Sequence, residues 1–131
     1  MGKVSVVAMA EAQDRSVAKS NAAYRDAKYP VDKLPYFPHD GEALQLFQID
    51  LGPDAEVEPH AHTEDEIVYV LKGTILLGAR TVGPGDALYV AKDTLYGFKT
   101  GPEGCSFLNF RPTDTVGYLN KEQFMAQRDK G

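Results

Sequence analysis

The chain has 131 residues, 43% of them hydrophobic and 25% charged, which points to one domain with a real core and excludes a disordered chain. Its 14 basic and 19 acidic residues leave a net charge of −5, and no basic stripe is visible of the kind a nucleic acid or an anionic membrane requires. The single cysteine, Cys105, excludes an intrachain disulfide and a purely thiolate metal site, and the longest apolar run, Ile67 to Leu71, falls far short of a bilayer span.

Lys3 followed by Val4 to Ala10 faintly imitates a signal peptide, but the stretch is short and Ser5 interrupts it. Val4 to Val7 reads instead as a first, edge strand of a cytoplasmic protein. Residues 11 to 29 are polar and alanine-rich, enough for a helical turn without a strong apolar face. Pro30, Pro35 and Pro38 then predict an extended arm over 30 to 40.

From Leu44 to Leu51 the pattern alternates, with Gln45, Phe47, Ile49 and Leu51 on one face and Gln48 and Asp50 on the other. Further strands are expected over Glu66–Leu71, Thr74–Leu77, Ala87–Val90, Tyr96–Lys99 and Cys105–Phe110. Lys72-Gly73, Gly83-Pro84-Gly85-Asp86, Lys92-Asp93 and Gly101-Pro102-Glu103-Gly104 separate them. Short strands at spacings near ten residues, with no amphipathic helices between them, predict an all-β sandwich or barrel. At the C-terminus, Asn120 with Gln123 at capping-box offset predicts one short helix.

One constellation carries chemistry. His60 and His62 are alternate residues and project from the same side of a strand. Glu66 stands four residues further on, at the head of a strand face that continues through Val68 and Val70. A carboxylate there needs a partner, and a metal held by His60, His62 and Glu66 would provide one, since two imidazoles and a carboxylate form the facial site that leaves coordination positions open. The plainer alternative is a solvated histidine pair in an acidic loop, with Glu64 and Asp65 a charged turn.

The segment Pro59-His60-Ala61-His62-Thr63-Glu64-Asp65-Glu66, continuing to Gly73, resembles the first motif of the cupin superfamily: H-x-H, three or four residues, E, six residues, G. Gly52 lies seven residues before His60 rather than the usual five. The second motif survives as a frame. Gly85 fits its start, while proline, glycine, histidine and asparagine are replaced by Ala91, Asp93, Tyr96 and Thr100. The resemblance covers about residues 42 to 111. It implies a double-stranded β-helix, or jelly-roll barrel, often dimeric. The domain plan is then a strand and arm over 1–41 packing on a barrel with C-terminal helix over 42–131. The family's metal is held by two histidines, a glutamate and a third histidine, and its chemistry ranges over dioxygenases, isomerases, decarboxylases, lyases and non-catalytic sensors.

Tyr96, standing where the family has its third histidine, is the informative departure. It is a fourth metal ligand, a proton donor beside a three-ligand metal, or a packing residue between Leu95 and Phe98. Arg111 is a candidate for holding a substrate carboxylate bidentately, with Gln45 and Phe47 as further substrate contacts. Cys105 reads as a small buried hydrophobe and His39 as a solvated residue of the arm. The expectation is a homodimeric metal-dependent enzyme acting on a small organic molecule, with Tyr96 and Glu66 as catalytic groups. It holds one divalent transition metal, iron first, with zinc, nickel or manganese as alternatives. A dioxygenase-like oxidation leads. A redox-neutral isomerase, lyase or cyclase and a non-catalytic binding protein are the rivals.

Overall fold

The computed structural model describes residues 2, 4–15, 31–37, 43–112 and 119–130. In chain order these form α1 (Met9–Asp14), β1 (Val31–Phe37), β2 (Leu44–Leu51), β3 (Glu56–Ala61), β4 (Glu66–Leu77), β5 (Arg80–Val82), β6 (Ala87–Val90), β7 (Tyr96–Pro112), β8 (Leu119–Asn120) and α2 (Lys121–Lys130). The strands run antiparallel in the order β1-β2-β7-β3-β8, and β4 pairs with β5, β6 and β7. The all-β expectation with a short C-terminal helix holds, and no described helix is long and apolar enough to cross a membrane.

The N-terminal third departs from the sequence reading. Val4 to Val7 is not a strand; Val4 and Val6 are among the most exposed apolar residues, and the next regular element is α1. The extended arm is a full strand, β1, paired along β2 from Val31 opposite Leu51 to Phe37 opposite Leu46. Pro35 fits there because β1 is the last strand on its side of the pairing order, where a missing N–H is tolerated. A boundary at residue 41 therefore cuts between two paired strands. His39 lies outside the described residues.

Two breaks expected in the second half are bends within single strands. Glu66–Leu71 and Thr74–Leu77 join through Gly73 into the 12-residue β4. Tyr96–Lys99 and Cys105–Phe110 join into the 17-residue β7. The C-terminal half of β7 pairs with β2, its N-terminal end pairs with β3, and β4 follows both parts. One strand thus ties the two halves of the fold together. Inward-pointing Leu51, Val68, Val70, Ile75, Val82, Cys105 and Phe107 fill the core with Ala55. Burial on this scale is the dominant stabilising contribution, about 25 cal/mol per Å² of apolar surface removed from water. Cys105 is buried as expected, and burial followed by the charge of Asp50 pushes its thiol up to about 11.

Two residues that stand in the frame of the divergent second motif have structural roles of their own. Asp93, at a glycine position of the motif, adopts φ 60°, a left-handed conformation that aspartate tolerates better than most residues. Its N–H donates to the His62 carbonyl at 2.8 Å, so this turn holds the chain next to the histidine pair. Thr100, at the asparagine position, is fully buried. Its hydroxyl accepts from the Ala55 N–H at 2.8 Å and donates to the Gly52 carbonyl at 2.7 Å, clamping the β2–β3 connection onto β7.

The opposite face of the sheet is apolar and exposed. Ile67, Tyr69 and Leu71 on β4 are 42%, 41% and 37% exposed, and Phe110 and Tyr89 lie directly across from Ile67 on β7 and β6.

Candidate functional site

The site begins with a bulge in β3. The register of β3 against β7 shifts between Val57 and His60, where Pro59 has no N–H to give to a ladder. β7 meets this bulge with Gly97. A Cβ there would stand 2.7 Å from the Val57 carbonyl oxygen and 2.9 Å from the Pro59 nitrogen, so only glycine lets the two backbones close. The consequence is that His60 pairs with Tyr96, and their rings lie 4.8 Å apart.

His60 is buried and His62, just past the end of β3, is half-buried; their rings meet edge-on at 5.0 Å. The His60 Nδ1–H donates to the Glu58 carbonyl at 2.9 Å, since a carbonyl can only accept; in the neutral ring this places the lone pair on Nε2. Burial lowers the pKa of His62. Glu66 opposes that effect, while the charges of His60, Arg111 and Lys33 add to it.

Glu66 is 3% exposed at the head of β4. The Tyr96 hydroxyl donates to its Oε1, and the Asn109 Nδ2 donates to its Oε2 at 3.1 Å. The carboxylate buried at this position has its partners in a phenol and an amide. Asp65, by contrast, has a local role: it accepts from the Tyr89 hydroxyl and from the Lys92 N–H, pinning the turn before β4 to β6.

Register brings the remaining candidates to the same face. Gln45 pairs with Arg111 and Phe47 with Asn109 across β2 and β7, and Arg111 Nε donates to Gln45 Oε1 at 3.1 Å. The Arg111 guanidinium lies 5.1 Å from the Phe47 ring centroid, and Lys33 Nζ, from β1, lies 4.1 Å from it. Asn109 and Lys33 were missed in the sequence. The alternation Phe107, Asn109, Arg111 carried a signal for the first. Nothing local marked Lys33, whose neighbours read as an arm.

Burial, and then the charge of Arg111, lower Lys33 to about 8. At pH 7 both the folded and the unfolded chain carry its proton, so the penalty is fully present. Between about 8 and 10.5 the folded chain has released a proton that the unfolded chain still binds, and stability rises with pH. That interval bounds the penalty at about 3 kcal/mol, which partial solvent contact reduces to roughly 1 kcal/mol. Lys33→Met should therefore raise denaturant stability at pH 7 by roughly 1 kcal/mol, with much of the gain gone at pH 10. An equal gain at both pH values would assign it to packing.

The donors His60, His62 and Glu66 are of the types that bind divalent transition metals. Among the described residues, however, no three His, Cys, Asp or Glu side chains are gathered into a group that would hold an ion as they stand. The donor chemistry suits a metal, then, and the carboxylate is engaged with Tyr96 and Asn109.

No protein-family model and no curated protein sequence matches the chain. Solved structures do. The polyketide cyclase RemF from Streptomyces resistomycificus aligns at TM-score 0.60 and 22% identity, over 80% of this chain and 89% of its own. A cupin-2 domain from Rhodospirillum rubrum, Rru_A2000, aligns at TM-score 0.60 and 19% identity, over 79% and 75%. The DMSP lyase DddQ from Ruegeria pomeroyi aligns at TM-score 0.59 and 17% identity, over 79% and 56%. The chain has the cupin fold. At such identities the likeness establishes architecture and leaves the chemistry to the site.

Proposed function

We propose that the chain is a metal-dependent cupin enzyme that carries out a redox-neutral proton transfer on a small organic molecule, as in isomerisation, elimination or cyclisation. The observation that carries this reading is the hydrogen bond from Tyr96 to Glu66. A phenol donating to a buried carboxylate is a path along which a proton can be held and passed, and it argues against a purely packing role for Tyr96. The likeness to a cyclase and a lyase agrees with this reading, and nothing in the site specifically favours the dioxygenase-like oxidation expected from the sequence.

In this mechanism His60, His62 and Glu66 would hold the metal, which would supply Lewis-acid polarisation of a substrate carbonyl. Asn109 fixes the Glu66 carboxylate through Oε2, so that Oε1 faces the Tyr96 hydroxyl. Tyr96 takes the substrate proton at its hydroxyl oxygen as its own hydroxyl proton passes to Glu66 Oε1, and the reverse transfer returns a proton to the product. Arg111, oriented by Gln45, and the Phe47 ring hold the substrate body.

Tyr96→Phe tests the reading because it removes only the hydroxyl. Metal content should hold while turnover falls by roughly a hundredfold or more. Tyr96→His, which restores the family residue, should bind metal at least as tightly and stay inactive. A substrate screen over catechols, diketones and hydroxyacids in an oxygen electrode separates the rivals. Stoichiometric dioxygen consumption would replace the reading with oxidation, and full turnover in Tyr96→Phe would remove Tyr96 from the chemistry.

The reading includes a second copy of the chain on the exposed face of Ile67, Tyr69, Leu71, Tyr89 and Phe110, because monomers rarely leave so continuous an apolar patch wet. Sedimentation should give twice the 14.4 kDa chain mass, falling to one chain mass in Ile67→Glu/Tyr69→Glu. A wild-type mass of one chain at micromolar concentration would rule the dimer out.

A further inference from the structure

We propose that the N-terminal residues 4–8 of one copy lie across the exposed sheet face of a second copy, and those of the second copy across the first; this rests on the reading of that face as a dimer contact. The face is built on a row of apolar side chains. Register sets Phe37, Leu46, Phe110, Ile67 and Tyr89 directly across from one another over β1, β2, β7, β4 and β6, and residues so paired share a side of the sheet. Phe37 joins the row because the register of β1 shifts after Pro35, which pairs with the buried Phe47. In the neighbouring row Leu34 lies opposite Gln48, Gln48 opposite Leu108 and Leu108 opposite Tyr69. Leu34 is buried where α1 packs against β1, and Ala12 of that helix is buried too, whereas Ile67, Tyr69 and Tyr89 are exposed. The β1 end of this face is therefore covered and the β4–β6 end is open.

Residues 4–8 lead into α1, at the covered end. Ala8 is extended, with φ −73° and ψ 152°, and along an extended chain alternate residues share a side. Val7 is half-buried, while Val4 and Val6 are 92% and 82% exposed. Two β-branched side chains thus face water together, in a segment whose residue types fit a pleated, half-buried surface. The chain leaves both its sheet face and these valines wet, and a second copy supplies a partner for each. A twofold axis sets segment on face twice, with the same two patches used by both copies. Area favours the segment's taking part. The exposed parts of Ile67, Tyr69, Leu71, Tyr89 and Phe110 offer roughly 500 Å², short of the about 800 Å² per partner of a standard interface. Val4, Val6 and the exposed Met9 bring the contact to that size.

Sedimentation equilibrium on the full chain tests this. Val4→Asp/Val6→Asp should raise the dimer dissociation constant about a hundredfold, while the dilute chain melts as the wild type does, because both residues are exposed in it. Val4→Ile/Val6→Ile should dimerise as the wild type does. Labelling gives a second readout, since burial keeps Cys105 from a maleimide. A Val6→Cys thiol should react about tenfold more slowly in the dimer than in the same chain carrying Ile67→Glu/Tyr69→Glu. An unchanged dissociation constant in Val4→Asp/Val6→Asp would overturn the proposal and leave a dimer on the sheet face alone. Equal labelling rates would overturn it as well, and a monomeric wild type would remove both the segment contact and the dimer. The enzymatic reading fails separately, through loss of metal or turnover in the wild type, whatever the valine variants do.

Discussion

The His60→Ala/His62→Ala chain is expected to lose nearly all of its bound metal, while wild-type protein purified without chelators carries close to one transition metal ion per chain. The expectation rests on the pair itself. The two rings meet at 5.0 Å, one of them anchored through Nδ1 to the Glu58 carbonyl, and that anchor sets the tautomer and aim of a ligating imidazole. Removing one imidazole weakens such a site; removing both leaves a carboxylate already held by a phenol and an amide. Activity should fall with the metal by a thousandfold or more, about 4 kcal/mol in the barrier. Metal content measured by plasma mass spectrometry on both proteins decides it. Equal content would place any metal elsewhere and dissolve the proposed centre.

Gly73→Ala should be the most damaging single-methyl change in the fold. Gly73 adopts φ +70°, and a Cβ there would stand 2.0 Å from the Gly104 carbonyl oxygen and 2.8 Å from its carbonyl carbon. Both atoms are backbone of β7, paired with β4 at this point, so neither can swing aside. The left-handed conformation alone costs roughly 1 kcal/mol in alanine, and the overlap forces the central strands apart. A loss of about 4 kcal/mol or more is expected, a large part of the 5–15 kcal/mol that stabilises a typical domain. Gly78→Ala is the matched control. Gly78 has φ +60° with nothing within 4 Å of the added methyl, so only the conformational penalty applies. Urea denaturation of both variants gives the comparison, and equal losses would show that the β4–β7 approach is not the constraint.

This contact gives a physical reason for the glycine of the cupin-like motif, and it shows how far the sequence alone reached. The alternation from Leu44 to Leu51 matches β2 in its bounds and in its inward face of Gln45, Phe47 and Leu51. Glu66 at the head of a buried face, the joint projection of His60 and His62, and the C-terminal helix were all legible, because each is a property of a few neighbouring residues. The strand over Glu56–Ala61 was not, since its alternation is broken by a proline bulge.

Partners across the sheet lay outside any local pattern. Tyr96 meets Glu66 over 30 residues, Asn109 meets Glu66 over 43, and Arg111 meets Gln45 over 66. Lys33 reaches the site only because a segment that reads as a proline-punctuated arm pairs along β2. The residue types and spacing of the sequence determined the fold class and the two histidines and glutamate of a candidate centre. The tertiary structure decided that Tyr96 and Asn109 hold that glutamate and that two cations share the Phe47 ring. The reason is that periodicity sets which way a side chain points, whereas register and backbone approach set what it meets.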